Sequence, residues 1–193
     1  FNLNLPRYYA IFLNSTTNSA LQDTETRKAL HVATDREKII KQVFKERALL
    51  ADGPIPSNIA GYNKTIYKDD VFSLLEAEKI LEKNGWLLNP EDGIRYKTIN
   101  KAKQKLEFEI IIPEIPFLVE TADIIKEGWN KIGIKINSVI LPLSDINKEV
   151  LKTRNYQMLI FGNILNNNPD VLPFWHSSER LYPGLNLSLY NNK

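Results

Sequence analysis

The sequence contains no cysteine among its 193 residues. Disulfides, thiolate nucleophiles and cysteine-ligated metals are therefore excluded. Histidine is almost as scarce, because only His31 and His176 are present and no third residue stands at metal-ligand spacing from them. A Gly-x-Ser-x-Gly nucleophile elbow is also missing, and no Ser, His and acid residues form a plausible hydrolase set. We expect no metal, no cofactor and no catalytic residues.

Long apolar runs and excess charge are missing as well. No run approaches the roughly 18 apolar residues that a membrane-spanning helix needs. Residues 1–6 have neither a basic nor an apolar region, so no signal peptide is visible. The net charge of +2 is too small to predict binding to nucleic acid or to a membrane surface. The length suits one domain with its own core, and we expect residues 1–193 to form it.

Capping residues and apolar periodicity predict four helices. Asp23 is placed to cap the first, and Thr34 with Glu37 fits a capping box at the start of the second. The third covers about residues 70–84 and ends at a glycine. The clearest covers about residues 117–132, where large apolar residues recur at spacings of three and four.

Short apolar segments between these helices predict strands. They cover residues 8–14, 106–112, 134–140 and 156–161, and a short helix opening at Ser144 separates the last two. Strands that alternate with helices of this length predict an α/β fold, a mixed sheet with flanking helices. The strand–helix–strand unit in the middle of the chain is a candidate right-handed crossover.

Several short segments together resemble one protein family, the extracellular solute-binding proteins of the oligopeptide and dipeptide type, family 5. Each segment consists of common residues, and their joint occurrence in the family's order makes the resemblance specific. The segments are residues 7–14 (RYYAIFLN), 26–30 (TRKAL), 33–37 (ATDRE), 53–56 (GPIP), 77–81 (AEKIL), 85–86 (GW), 132–136 (IGIKI), 155–159 (NYQML), 169–170 (PD), 174–178 (FWHSS) and 184–186 (GLN).

The resemblance implies one lobe of a type II periplasmic-binding-protein fold. The family's proteins are two-lobed clamps that close on a ligand, and this chain resembles only the second lobe. We therefore expect a domain-sized fragment, monomeric by itself, that captures peptides or similar solutes. The implied partners are the permease subunits of an ABC importer. The implied location is periplasmic or extracellular, at the outer face of the cytoplasmic membrane, with a lipid anchor as one option.

Two other functions stay open from the residues alone. One is an α/β hydrolase that uses a serine or a carboxylate pair, and Glu107 and Glu109 do share one face of a strand. A solvated strand face explains that pair more simply. The other is a peptide-sensing or chaperone-like interaction domain on the same fold.

The resemblance places ligand contacts in the loop of residues 162–170, after the last strand. Peptide-binding relatives carry an acidic residue there for the ligand's α-ammonium group, and here Asn166 stands at that position, or Asp170 if the match slips. Dipeptide-type relatives place an arginine where this chain has Ile115. Both departures favour a longer peptide held through its backbone, or an uncharged solute.

Three further residues complete the predicted ligand site. Asn163 and Asn186 offer hydrogen-bond donors and acceptors without charge, although asparagine is also a routine turn residue. Trp175 is expected to line the cleft, with a core tryptophan as the competing interpretation. The predicted ligand-binding residues are Asn163, Asn166, Asp170, Trp175 and Asn186.

Overall fold

A computed structural model describes residues 7–57, 61–66, 71–99, 101–165 and 170–191. The strands are β1 (Arg7–Leu13), β2 (Leu87–Leu88), β3 (Arg95–Ile99), β4 (Ala102–Lys105), β5 (Glu107–Pro113), β6 (Lys135–Leu141) and β7 (Met158–Ile164). The helices are α1 (Ser19–Gln22), α2 (Thr24–Val32), α3 (Arg36–Gln42), α4 (Leu74–Lys83), α5 (Pro116–Lys131), α6 (Leu143–Asp145), α7 (Leu151–Thr153) and α8 (Leu172–Trp175). A π-helical stretch, Ile146–Val150, joins α6 to α7.

The main sheet has four strands in the order β1-β7-β5-β6. Strands β5, β6 and β7 run parallel, and β1 pairs with β7 in the antiparallel direction. The predicted α/β class with a mixed sheet is confirmed. Helix α5 connects the parallel neighbours β5 and β6, as the predicted strand–helix–strand unit requires.

Helix starts follow the capping side chains, with one correction. The Asp23 carboxylate accepts a hydrogen bond from the Glu25 N–H and caps α2 as predicted. The capping box at Thr34 is wrong: the Thr34 hydroxyl donates to the Leu30 carbonyl, and Asp35 accepts from the Lys38 N–H instead. The Thr34 hydroxyl also accepts from the Trp129 indole N–H at 3.1 Å, so it is turned away from the start of α3, and the neighbouring carboxylate takes the cap.

The third helix is shorter than the sequence predicts. It begins at Leu74, where the Ser73 hydroxyl accepts from the Glu76 N–H, and Asp70 lies outside the described residues. Gly85 follows the helix with φ of +84°, a conformation that suits glycine at a helix end. Trp86 then packs back into the core with 0% exposure and donates its indole N–H to the Thr26 hydroxyl.

Apolar side chains cover both faces of the main sheet. One face packs against α1, α2, α4 and α5 around Trp86 and Trp129. The other packs against the π-helical stretch and the segment after β7, and its core includes Tyr8, Phe12 and Leu159. The β1 residues alternate between the two cores, because successive side chains of a strand point to opposite faces. The sheet is therefore the middle layer of three.

A second, three-stranded sheet in the order β2-β3-β4 was not predicted from the sequence. Its strands carry lysines, and most residues of β4 are exposed, so apolar alternation is weak there. Arg95 fixes the sheet to the main domain from a position 2% exposed. Its guanidinium donates to the carbonyls of Ile132 and Trp86 at 2.8 and 3.0 Å and pairs with Glu82 at 3.2 Å.

The segment of residues 170–191 is held by buried polar side chains. Arg154 has a left-handed φ of +58° and donates to the carbonyls of Arg180 and Gly184. Tyr156 donates its hydroxyl to the Leu187 carbonyl at 2.5 Å, and burial raises the pKa of Tyr156 to about 12. The segment is thus a fixed part of the fold.

Candidate functional site

The carboxyl ends of β5, β6 and β7 lie at one edge of the main sheet, which we call the carboxyl edge. Pro113 of β5 aligns with Leu141 of β6, and Ile164 ends β7 beside them. Because β1 is antiparallel to β7, its first residue, Arg7, also lies at this edge, opposite Ile164. Open α/β sheets bind their ligands at the carboxyl ends of their strands.

A cavity of about 610 Å³, which we call the trough, lies between β1, α3 with residues 44–57, and α5. Its size falls in the range of roughly 300–1,000 Å³ that small-molecule sites occupy. Buried apolar side chains form its floor: Leu30, Ile39, Leu118, Ile125, Trp129 and Ile160. Tyr8 and Trp175, which belong to the core on the other face of the sheet, also line it.

Three aromatic rings meet beside the trough. Tyr9 and Phe44 line it, and Phe117 packs edge-on against both, with ring centroids 5.1 Å from Tyr9 and 5.6 Å from Phe44. The Tyr9 ring lies across Gly162 of β7. A Cβ built on that glycine would be 2.7 and 2.9 Å from two carbons of the ring. The absence of a side chain at position 162 therefore makes room for Tyr9.

The rim of the trough carries an excess of positive charge. Four arginines line it, Arg7, Arg27, Arg36 and Arg47, whereas Asp52 is the one acidic residue among the described lining residues. Arg27 donates to the carbonyls of Leu21 and Gln22 at 2.8 and 2.7 Å, so its charge has a fixed position without being neutralised. An anionic group entering the trough would meet a positive potential.

Tyr8, Asn163 and Trp175 form a polar cluster next to the trough. The Asn163 amide donates to the Tyr8 hydroxyl at 2.9 Å. Burial raises the pKa of the Tyr8 hydroxyl, against the opposing effect of Asn163 and Trp175 nearby. The Trp175 indole N–H is enclosed but lacks an acceptor in hydrogen-bond geometry among the described residues. Its ring packs against Phe12, with centroids 6.4 Å apart.

Comparison with known proteins assigns this architecture to a family. Residues 4–180 match the family described as bacterial extracellular solute-binding proteins, family 5 Middle. The match covers most of the chain and all seven strands. The chain belongs to the family 5 extracellular solute-binding proteins.

Individual relatives agree with the family match. The chain is 26% identical over 173 residues to di/tripeptide-binding protein 1 of Pseudomonas aeruginosa, covering 88% of this chain and 30% of that protein. The oligopeptide-binding protein AppA from Bacillus subtilis, solved with a nonapeptide, superposes with a TM-score of 0.86 at 26% identity, covering 97% and 37%. NikZ from Campylobacter jejuni, solved with Ni(L-His), gives 0.81 at 26% identity, covering 98% and 37%.

This family 5 chain thus spans about a third of the length of the relatives it matches. The structural likeness confirms the predicted type II periplasmic-binding-protein fold. Among the residues that the structure describes, no helix is long and apolar enough to cross a membrane. No group of three or more metal-ligating side chains is found in that part of the chain either.

The structure brings two of the predicted site residues together and separates the others. Asn163 and Trp175 lie in the polar cluster beside Tyr8. Asp170 is exposed and accepts from the Leu172 N–H, which makes it the cap of a short turn. Asn166 lies outside the described residues. Strand β7 continues to Ile164, so residues 162–164, which the sequence predicts as loop, belong to the sheet.

Asn186 lies in the interior with 0% exposure. Its amide donates to the carbonyls of Trp175, His176 and Tyr190 at 3.1–3.2 Å. Its side-chain oxygen accepts from Ser188 and from the Tyr190 N–H. Because these bonds use both the donors and the acceptor, Asn186 positions the backbone around Trp175 and leaves no group for a ligand.

The trough was not predicted from the sequence. Its residues come from β1, from residues 44–57 and from α5, which are far apart in the chain. His31 also lines the trough, and the described residues contain no group of three or more metal-ligating side chains.

Glu107 pairs with Lys105 and Lys135, and its pKa is lowered to about 2 by hydrogen bonds from Lys105, Asn137 and Lys135. The Glu107 side chain is only 15% exposed, so the predicted solvated strand face describes the exposed Glu109 but not Glu107.

Proposed function

We propose that this chain is the second lobe of a two-lobed binding protein that captures peptides for an ABC importer. Family membership supports a solute-binding role. The relatives named for di/tripeptides and solved with a nonapeptide support peptides as the ligand class. The relative solved with Ni(L-His) shows that the fold also accepts other solutes.

One observation carries the proposal: this chain encloses the trough only in part, and Arg7, at the carboxyl edge, lines it. Its walls are β1, α3 with residues 44–57, and α5, all within this chain. Small-molecule sites normally bury 70% or more of their ligand. A half-open trough on a chain one third as long as its relatives fits one face of an interlobe cleft.

The mechanism that follows is closure of two lobes around the ligand. The ligand first contacts one lobe, and the second then covers it, so that the closed form is favoured by its additional contacts. The isolated lobe is expected to be monomeric and to bind weakly, because the partner surface supplies much of the desolvation. The closed protein is then recognised by the permease subunits at the outer face of the cytoplasmic membrane.

The ligand class is tested by purifying the complete two-lobed protein and identifying bound molecules by mass spectrometry. Peptides are the expected result. Calorimetry with the identified peptide then compares the parent protein with Trp175→Ala, which should weaken binding by roughly 1–3 kcal/mol, the usual scale for an aromatic contact.

Tyr190→Ala is the matched control, because Tyr190 is an exposed aromatic residue in the same segment that does not line the trough. It should leave affinity unchanged. Recovery of only non-peptide solutes, with no binding of peptides added at millimolar concentration, would refute the peptide proposal. Equal affinity of the two variants would place the ligand away from Trp175.

A further inference from the structure

The trough divides into an aromatic part and a cationic part. Tyr9 and Phe44 present partly buried rings to it, and Leu118 extends the apolar floor beside them. Arg7 and Arg47 line the same cavity with exposed side chains. A ligand that fits both parts must combine an apolar planar group with a nearby anion.

The aromatic part is built to hold its shape. The Tyr9 ring packs directly against the backbone of Gly162. Phe117 packs edge-on against the same ring, at an interplanar angle of 77°. Phe44 lies 6.4 Å from Tyr9 and 5.6 Å from Phe117, so each ring contacts the other two. Rings fixed in this way lose little freedom when a further ring packs against them, which favours an aromatic ligand group.

The cationic part holds charge that the described residues do not neutralise. Arg7 contacts the Tyr9 ring, with its guanidinium carbon 5.7 Å from the centroid. No carboxylate of the described residues lies within ion-pair distance of Arg7 or Arg47. Arginine pairs with carboxylates in a two-pronged geometry, so these side chains are suited to a carboxylate ligand.

We propose that the trough selects peptides that end in an aromatic residue. The ring of that residue packs against Tyr9 and Phe44, and its terminal carboxylate pairs with Arg47, with Arg7 adding positive potential. This inference rests on the proposed peptide-binding function and names the ligand class of the same site. It differs from the sequence-based expectation, which favoured backbone recognition or an uncharged solute.

The test measures dissociation constants by calorimetry in the complete two-lobed protein with three probes: Ala-Ala-Ala-Phe, Ala-Ala-Ala-Ala and the C-terminal amide of the first. Ala-Ala-Ala-Phe should bind about tenfold or more tightly than Ala-Ala-Ala-Ala, because burying a phenyl ring is strongly favourable. It should also bind about tenfold more tightly than its amide, which lacks the charge that strengthens an arginine hydrogen bond.

Two variants assign these preferences to residues. Phe44→Leu keeps an apolar side chain and should reduce the preference for Phe over Ala at the last position. Arg47→Gln should reduce the preference for the carboxylate over the amide. Lys41→Gln is the charge-matched control, since Lys41 is exposed on α3 and does not line the trough. It should change neither preference.

The outcomes separate this inference from the proposed function. If all three probes bind with equal affinity, the protein binds peptides and the aromatic-carboxylate inference is wrong. The inference is also overturned if Arg47→Gln and Lys41→Gln have the same effect, because the charge would then act at long range. If none of the probes binds, both the inference and the peptide-binding proposal fail.

Discussion

The substitution Gly162→Ala tests how the Tyr9 ring packs beside the trough. In the structure, a Cβ at this position would be 2.7 and 2.9 Å from the Cε1 and Cδ1 atoms of Tyr9. Carbon atoms pack best at about 3.5–4.0 Å, so Gly162→Ala forces the ring to move by roughly 0.7 Å or more. Phe44 and Phe117 stand around that ring and limit where it can go.

The expected cost of Gly162→Ala is about 1–3 kcal/mol, the usual range for overpacking a core. The loss of backbone entropy in the unfolded chain offsets about 0.4–1 kcal/mol of that cost. For a chain of this length, each kcal/mol lowers the melting temperature by about 2–4 °C. Urea unfolding followed by circular dichroism measures the free energy of unfolding.

A double-mutant cycle isolates the contact with Tyr9. In the Tyr9→Ala background the ring is gone, and Gly162→Ala should become neutral or stabilising. A coupling free energy of about 1–3 kcal/mol between the two positions is expected. If Gly162→Ala costs the same in both backgrounds, the Tyr9 ring is not the obstacle, and the argument that position 162 shapes the aromatic part of the trough is refuted.

Three further predictions follow from individual residues. Asn186→Ala should destabilise the protein by about 1–3 kcal/mol, because it leaves buried backbone groups around Trp175 without hydrogen-bond partners. The Tyr190 amide, which donates to Asn186, should then exchange its hydrogen faster. An unchanged exchange rate would contradict this prediction. Because the pKa of Glu107 is lowered from 4.5 to about 2 on folding, its stabilisation is complete above pH 4.5 and is lost as the pH falls towards 2. The unfolding free energies of the parent and Glu107→Gln should therefore converge over that interval, and a constant difference would be inconsistent with the ion pairs. Asn166→Asp should tighten binding of a peptide with a free α-ammonium group relative to its N-acetylated form, since a charge-assisted hydrogen bond is roughly twice as strong. Asn166→Ala should weaken binding of both peptides. If calorimetry shows that Asn166→Asp changes the affinity for the two peptides equally, position 166 does not contact the ammonium group.

The main sheet and its helices could be predicted because their physical signals are local. Helix α5 begins at Pro116 and ends at Lys131, one residue from the predicted bounds, since its apolar spacing and the following glycine both mark it. Strands β5 and β6 are likewise within one residue of prediction. The β2-β3-β4 sheet was not predicted, because its outer strand β4, with sequence AKQK, is exposed and lysine-rich and shows no apolar alternation.

The site was only partly predictable, for a different reason. The region after β7 was predicted because it follows a buried strand, and Trp175 of that region lines the trough. The trough depends on contacts between residues about 35 to 110 positions apart, such as Tyr9 with Phe44 and with Phe117. No local pattern encodes those distances. The role of Asn186 could not be predicted either. A buried asparagine that bonds backbone groups cannot be distinguished by sequence from one in an exposed turn.

The antiparallel pairing of β1 with β7 has a consequence for the order in which the chain folds. The paired residues, from Arg7 with Ile164 to Leu13 with Met158, are about 150 positions apart. At a synthesis rate of about 5–20 residues per second, β1 is complete roughly 8–30 s before β7 leaves the ribosome. Throughout that interval the aromatic residues of β1 have no strand partner and are open to association with other chains. The carboxyl edge is consequently assembled late, and a chaperone that binds residues 7–13 during synthesis would act on the segment that later forms one wall of the trough.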